Sequence, residues 1–278
     1  LTAKERLKSM LFYYFADNFE ADFDQRIFIV EGDITEGKSF GAFSQIPIDT
    51  VINCAANVKH FSTGNDIEAV NYHGVKNLLD FCKNAKCRFI QISTTSVSGN
   101  METDNFEGTM LTEQSLYIGQ IVKDNKYVHS KFMAERAGLE AIPEGVDAKI
   151  MRVGNLMARS YDGEFQIKFR TNSFVNSLKA YSVVGKIPFE NLSAPAEFSP
   201  IDCTAQAILK LAQTPKQCVI FHPYNPNVVR VDNIIKILNA EGVAITACEY
   251  EEFNEAFKQA STDEETAKSL LALIAYLP

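Results

Sequence analysis

The chain contains no tryptophan and only four histidines. Nowhere does it hold an uninterrupted apolar run of the roughly 18 residues that a membrane-spanning helix requires. Its first twenty residues mix Lys4, Arg6, Lys8 and Asp17 with apolar positions, so neither a signal peptide nor a membrane anchor is expected and the chain is placed in the cytoplasm. His60, His73, His129 and His222 show no metal-ligand spacing, and neither H-E-x-x-H nor G-x-S-x-G occurs, so no metal site and no serine hydrolase is predicted. Of the six cysteines, Cys54, Cys82, Cys87, Cys203, Cys218 and Cys248, only Cys82 and Cys87 lie close together, without the second pair that a zinc site needs; buried free thiols are expected. Basic charge is scarce as well. With 27 Lys and Arg against 35 Asp and Glu the net charge is -8, the wrong sign for a protein that neutralises nucleic-acid phosphates.

Glycine pairing is the most telling scarcity. No two of the 14 glycines stand two or three positions apart, so G-x-G-x-x-G cannot be built. Either the fold binds no dinucleotide, or a first strand, glycine turn and helix precede Leu1.

What is present is an ordinary globular composition, 46% hydrophobic and 22% charged over 278 residues, enough to bury one large domain or two coupled lobes. Thr2-x-x-Glu5 is a capping box that opens a helix. Strands are predicted at Arg26 to Asp33, Thr50 to Ala56, Arg88 to Thr94 and Ala148 to Asn155, with helices over about Ile67 to Asn84 and Gln120 to Leu139. This alternation predicts an α/β fold with a doubly wound parallel, Rossmann-like sheet over residues 1–157. Residues 158–278 are read as a smaller substrate lobe with some elements returning to the sheet. They hold helices near Ser173 to Tyr181, Ile201 to Ala212 and Val231 to Ala240, strands at Cys218 to Phe221 and Val243 to Cys248, and a closing helical stretch, SLLALIAYLP.

Chemistry is sought at Tyr127-Val-His-Ser-Lys131, which sets a phenol and an ammonium at i and i+4 on one helix face. A nearby cation lowers a tyrosine pKa from about 10 towards the range of a general acid. Tyr72-His-Gly-Val-Lys76 repeats the spacing, but no strand-end hydroxyl lies upstream of it. Tyr127 follows an apolar strand that runs into Ser93, Thr94, Thr95 and Ser96, and ligands of open parallel sheets bind at the carboxyl ends of strands.

The segments GDIT, NCAA, NYHGVKN, ISTTSVSG, YVHSK and RVGN, in this order, resemble the extended short-chain dehydrogenase/reductases. With VINCAANVKHF, YVHSKFMAE, RVGNLMAR, EFSPID and FHPYNPN the chain is similar, over nearly its whole length, to the thioester reductase domains that end many nonribosomal peptide synthetases. Members of that family begin with G-x-x-G-x-x-G and carry a basic residue for a 2'-phosphate, which on this resemblance precede Leu1.

The resemblance implies a catalytic triad of Thr94, Tyr127 and Lys131, with Thr95 and Ser96 left to cap backbone groups. It implies NADPH as cofactor, contacted by Asp33 and Ile34 at the adenine, by Asn53, Cys54, Ala55 and Ala56 beside the riboses, and by Gly154 and Asn155 near the nicotinamide. Asn71 ties the neighbouring helix to that wall, Lys131 also holds the nicotinamide ribose, and His60 lines the substrate entrance.

The implied reaction is reductive release of an acyl or peptidyl thioester, carried on the phosphopantetheine arm of a carrier protein, as an aldehyde, with a second reduction to the alcohol left open. Upstream synthetase modules are the implied partners, with no nucleic acid and no membrane, and the domain is expected to be monomeric. Lys168, Arg170, Lys179 and Lys186 are candidates for a basic docking patch, with solvated surface charge as the simpler reading. Two alternatives stay open. One is a sugar-nucleotide epimerase or dehydratase, against which EFSPID and FHPYNPN weigh; the other is a non-catalytic substrate and carrier docking module.

Overall fold

The computed structural model describes residues 1–43, 45–58, 64–100, 110–169, 172–262 and 270. His60, Arg170 and, apart from Leu270, the closing SLLALIAYLP stretch lie outside the described residues.

Helix α1 (Ala3–Phe15) starts at the capping box, with Thr2 Oγ1 accepting from Glu5 N and the Glu5 carboxylate accepting from Thr2 N. Strand β1 (Thr50–Asn53) leads to α2 (Asp66–Glu68), a π-turn (Ala69–His73) and α3 (Gly74–Ala85). Val75, Leu78, Leu79 and Cys82 recur at helical spacing and form the buried face of α3. Then follow β2 (Arg88–Thr94), α4 (Lys126–Ala141) and β3 (Asp147–Val153). The order continues with β4 (Leu156–Met157), α5 (Ser173–Val184), β5 (Lys186–Pro188), α6 (Phe189–Leu192), β6 (Pro195–Glu197) and β7 (Ser199–Pro200). It closes with α7 (Ile201–Leu211), β8 (Ile220–Phe221), β9 (Val228–Arg230), α8 (Val231–Ala240), β10 (Thr246–Cys248) and α9 (Tyr250–Ala260).

Two compact units result, Leu1–Gly154 with Thr204–Pro223, and Asn155–Cys203 with Tyr224–Pro278. The first is built on a parallel sheet of order β1-β2-β3-β8. Its core lies on both faces, as a parallel sheet requires. Phe89 and Ala148 pack under α3 and α4, while Ile90, Met151 and Val153 meet Ile208, Leu211 and Phe221 on the other side. This is the α/β, Rossmann-like architecture expected from the sequence. Among the described residues the second unit holds three two-stranded pairs, β4-β7, β5-β10 and β6-β9. Its buried centres are Ala180, Cys248 and Phe253, and Ile187, Ile235 and Ile245.

Four expectations are corrected. Residues 28–33 form no strand: Asp24 N donates to Ile27 O in a tight loop, Phe28 is 67% exposed, and β1 pairs only with β2 among the described residues. Strand β1 stops at Asn53, whose Oδ1 accepts from Ala55 N and turns the chain. Helix α4 starts at Lys126 rather than Gln120, because Asn125 Oδ1 caps the amides of Tyr127 and Val128, and Gln120 is spent on the carbonyls of Val97 and Leu116. All six cysteines are free, but Cys54, Cys203 and Cys218 are exposed, since they fall just past a strand, in the first turn of a helix and in a turn. No helix among the described residues is long and apolar enough to cross a membrane.

Candidate active site

The carboxyl ends of β2 and β3 lie level, Thr94 opposite Val153, while β1 ends three residues earlier along the sheet, with Asn53 opposite Gln91. Thr94 is the last residue of β2 and the cap of a tight turn at Thr95–Ser98. Its Oγ1 accepts from Ser96 N and donates to Ser96 Oγ, both at 3.1 Å. The capping role expected of Thr95 and Ser96 therefore falls to Thr94 itself, because an extended residue just before a helical turn presents its hydroxyl to the second amide onward. The turn closes on Gly99, at φ +59°, where a Cβ would stand 2.5 Å from Ile121 O; only glycine fits there. Asn100 and Ile121 bridge immediately beyond.

Helix α4 turns Ser130, Lys131, Ala134 and Glu135 inward. Lys131 is 4% exposed, and its Nζ donates to Ile92 O at 2.8 Å and lies 6.0 Å from the centre of the Tyr127 ring. Burial lowers the Lys131 pKa to about 8, opposed by the neighbouring Cys54 and Glu135. Burial likewise raises that of Tyr127. The expected lowering of Tyr127 by its lysine is thus overturned: both groups are taken out of water, and the desolvation of the phenol wins. Tyr72 packs against the core under α3 while Lys76 reaches over its ring at 5.8 Å from the surface, an amphipathic side chain covering an aromatic.

At the end of β1, Asn53 is buried and its Nδ2 donates to Gln91 Oε1, so the side chain shapes the turn that presents Cys54, Ala55 and Ala56. Asn71 is 1% exposed; its Oδ1 accepts from Asn57 N at 2.7 Å, and its Nδ2 donates to Asn57 O and Ser130 Oγ. It thereby joins the loop after β1, the π-turn and α4. Asp33 Oδ1 accepts from the amide and hydroxyl of Thr35, which holds its carboxyl below the usual range. Ile34 packs against Gly74, and its carbonyl accepts from Asn77. Gly154 follows the end of β3. Asn155 belongs to the second unit, where its N–H donates to Glu197 and its carbonyl accepts from Ser199 N. Of the supposed docking patch, Lys186 is paired with Glu252 at 2.5 Å.

Sequence reasoning missed a second buried set. Glu135 and Arg152 form an ion pair with both side chains wholly buried. The signal was present: Arg152 is a lone guanidinium inside the apolar strand IMRVG, and Glu135 follows Lys131 by one helical turn.

Small, accessible residues at the end of β1 beside a buried cation and a phenol suit the ribose and nicotinamide half of a dinucleotide. Cys54 and Ala55 leave room for a ring, and Lys131 can offer its N–H groups to ribose hydroxyls. No group of three or more His, Cys, Asp or Glu gathers to hold a metal among the described residues.

Residues 1–208 match the model of an NAD-binding family described as Male sterility protein. The chain is similar to a solved thiolation-reductase di-domain from an archaeal non-ribosomal peptide synthetase, with 37% identity, a TM-score of 0.89, and coverage of 97% of this chain and 57% of that one. It is also similar to the Aureusimine biosynthetic cluster reductase domain, with 28% identity, a TM-score of 0.67, and 81% and 58% coverage. Among curated proteins, glycine betaine reductase ATRR from Emericella nidulans is 25% identical over 227 residues, 78% of this chain and 17% of that protein. The chain therefore spans little more than half of each of these two solved chains and about a sixth of the curated one.

Proposed function

The chain belongs to the NAD-binding family described as Male sterility protein, and we propose that within it the chain is the catalytic part of an NADPH-dependent reductase that releases carrier-bound acyl or peptidyl thioesters as aldehydes. One observation carries this reading: Lys131 is buried against the end of β2, one helical turn from Tyr127 and beside the strand that terminates in Thr94. Likeness to the thiolation-reductase di-domain supports the carrier-bound thioester as substrate, its phosphopantetheine arm as the tether, and a carrier protein as partner.

A bound nicotinamide cofactor supplies the hydride. Cys54, Ala55 and Ala56 would form the wall beside it, and Lys131 would hold its ribose. Asp33 and Ile34, then Gly154 and Asn155, are the further contacts proposed. Thr94, giving up its bond to Ser96 Oγ, and Tyr127 donate hydrogen bonds to the thioester carbonyl, and these bonds strengthen as negative charge develops on its oxygen. Because burial raises its pKa, Tyr127 keeps its proton at neutral pH and can deliver it to that oxygen. The charge on Lys131, in a site of low polarity, favours proton loss from the phenol at that moment. The thiohemiacetal then returns its hydroxyl proton to the Tyr127 phenolate, the C–S bond breaks, and the aldehyde leaves with a thiolate that takes up a proton from solvent.

The test is to give the intact protein an acyl-pantetheine thioester and NADPH, following absorbance at 340 nm and trapping aldehyde with a hydrazine. Cofactor oxidation matched by aldehyde and free thiol is expected, with loss of about 10²-fold or more in Tyr127→Phe. Cofactor oxidation without thiol release contradicts the proposal.

A further inference from the structure

Behind the three residues assigned to chemistry lies a buried polar cluster with a more regular geometry than packing alone requires. Ser93 Oγ donates to Glu135 Oε1 at 2.5 Å. Arg152 grips the same carboxylate through Nε and Nη2, the latter at 2.8 Å. Its remaining N–H groups go to Thr112 O, Ser115 O and His222 Nε2, so all five guanidinium donors are engaged. Ser93, Glu135 and Arg152 are each 2% exposed or less.

The cluster sits in register with the proposed active site. Lys131 Nζ binds the carbonyl of Ile92, and one helical turn on, Glu135 binds the hydroxyl of Ser93. Two successive residues of β2 are thus fastened to two successive turns of α4, and the next residue of the strand is Thr94. Resting on the function proposed above, we infer that Glu135, held by Ser93 and Arg152, is a positioning residue: it fixes α4 along β2 and so sets where Thr94 stands relative to Lys131 and Tyr127. A neutral pair would serve for packing; an ionised carboxylate gripped from two strands gives strong, directional bonds that resist sliding of the helix.

Glu135 also acts on Lys131 through charge. Facing Lys131 are Cys54 from the end of β1 and Tyr127 and Glu135 from α4 itself. Beyond Glu135 stand Arg152 on β3, His222 after β8, and Glu113, 3.8 Å from that histidine. Among these, Cys54 and, after it, Glu135 favour the protonated lysine.

The decisive experiment is a double-mutant cycle in the intact protein, Ser93→Ala with and without Thr94→Val, measuring kcat and the cofactor KM. Ser93→Ala retains the ion pair and should lower kcat about tenfold with KM for cofactor unchanged. In the Thr94→Val background the same change should have no further effect, because a positioning residue has nothing left to position. An unchanged kcat in Ser93→Ala, or effects that multiply, overturns the inference. A readout independent of turnover accompanies it: the titration of the Lys131 ammonium followed by lysine-selective 15N NMR. Glu135→Gln keeps an acceptor for Ser93 but removes the charge, and should move the Lys131 midpoint to lower pH. An unmoved midpoint contradicts the coupling. If Glu135→Gln fails to fold, the charge-free pair Glu135→Gln with Arg152→Met is titrated instead, with the same sign expected because Glu135, and not Arg152, bears on the lysine. Wild-type protein that reduces no thioester would sink the proposed function, while the titration still decides the role of Glu135.

Discussion

Lys131 Nζ and the carbonyl of Ile92 meet at 2.8 Å, so the buried cation of α4 is tied to the strand two residues ahead of Thr94. The bond compensates an ammonium taken out of water and at the same time fixes where its remaining N–H groups point. Its consequences reach both pH dependence and stability.

Turnover that needs protonated Lys131 should fall as pH rises through about 8. Stability should move the opposite way. The folded pKa lies below the ordinary lysine value of 10.5, so between pH 8 and 10.5 the unfolded chain binds a proton that the folded chain does not, and stability rises with pH. The gain is on the order of 3 kcal/mol. Lys131→Met should abolish turnover and flatten this part of a urea-unfolding pH profile; an unchanged profile would show that the lysine is not depressed.

His222 should give the fold a sensitivity to acid. Arg152 can only donate, so His222 Nε2 accepts and the ring is neutral; burial lowers its pKa, Glu113 pulls the other way by less, and Arg152 adds a smaller lowering. Below an ordinary histidine pKa of about 6.5 the unfolded chain takes up a proton first, so stability is lost as pH falls. His222→Gln, which keeps an acceptor, should remove that slope from the melting temperature between pH 7 and 5.

Asn71 holds three hydrogen bonds while almost wholly buried. Asn71→Leu should destabilise the fold by about 2–4 kcal/mol, measured by denaturant unfolding, and loosen the loop after β1. A loss below 0.5 kcal/mol would mean that the loop is held elsewhere.

Gly99→Ala should cost about 1–3 kcal/mol, since φ is positive and the new methyl meets Ile121 O. Because the strain falls on the turn that Thr94 caps, turnover should drop by more than the loss of folded protein accounts for, as read from activity per mole of folded enzyme.

Much of the fold was legible where periodicity and end signals agreed. Strand β2 is apolar at Phe89, Ile90 and Ile92 and stops where hydroxyls begin, so both its ends were read; the same holds for α8. The segment at 26–33 misled because an apolar run records strand propensity and not a ladder partner. The start of α4 misled because Gln120 to Val122 continue the helical pattern, whereas Asn125, a local capping residue, decides where the helix begins. At the site, Tyr127 and Lys131 were legible from spacing plus an upstream hydroxyl strand. Their pKa directions were not, since burial depends on what packs over them from other segments. The Glu135 and Arg152 pair joins residues 17 apart on two elements, and only the register of α4 against β3 brings them together.

The central claim is tested most directly by isotope transfer. The intact protein is given an acyl-pantetheine thioester and NADPH bearing deuterium at both C4 positions, and the trapped aldehyde is weighed by mass spectrometry. One deuterium on the aldehyde carbon and one free thiol per cofactor oxidised are expected, with both lost in Tyr127→Phe. Unlabelled product, or labelled product that persists undiminished in Tyr127→Phe, would contradict the account.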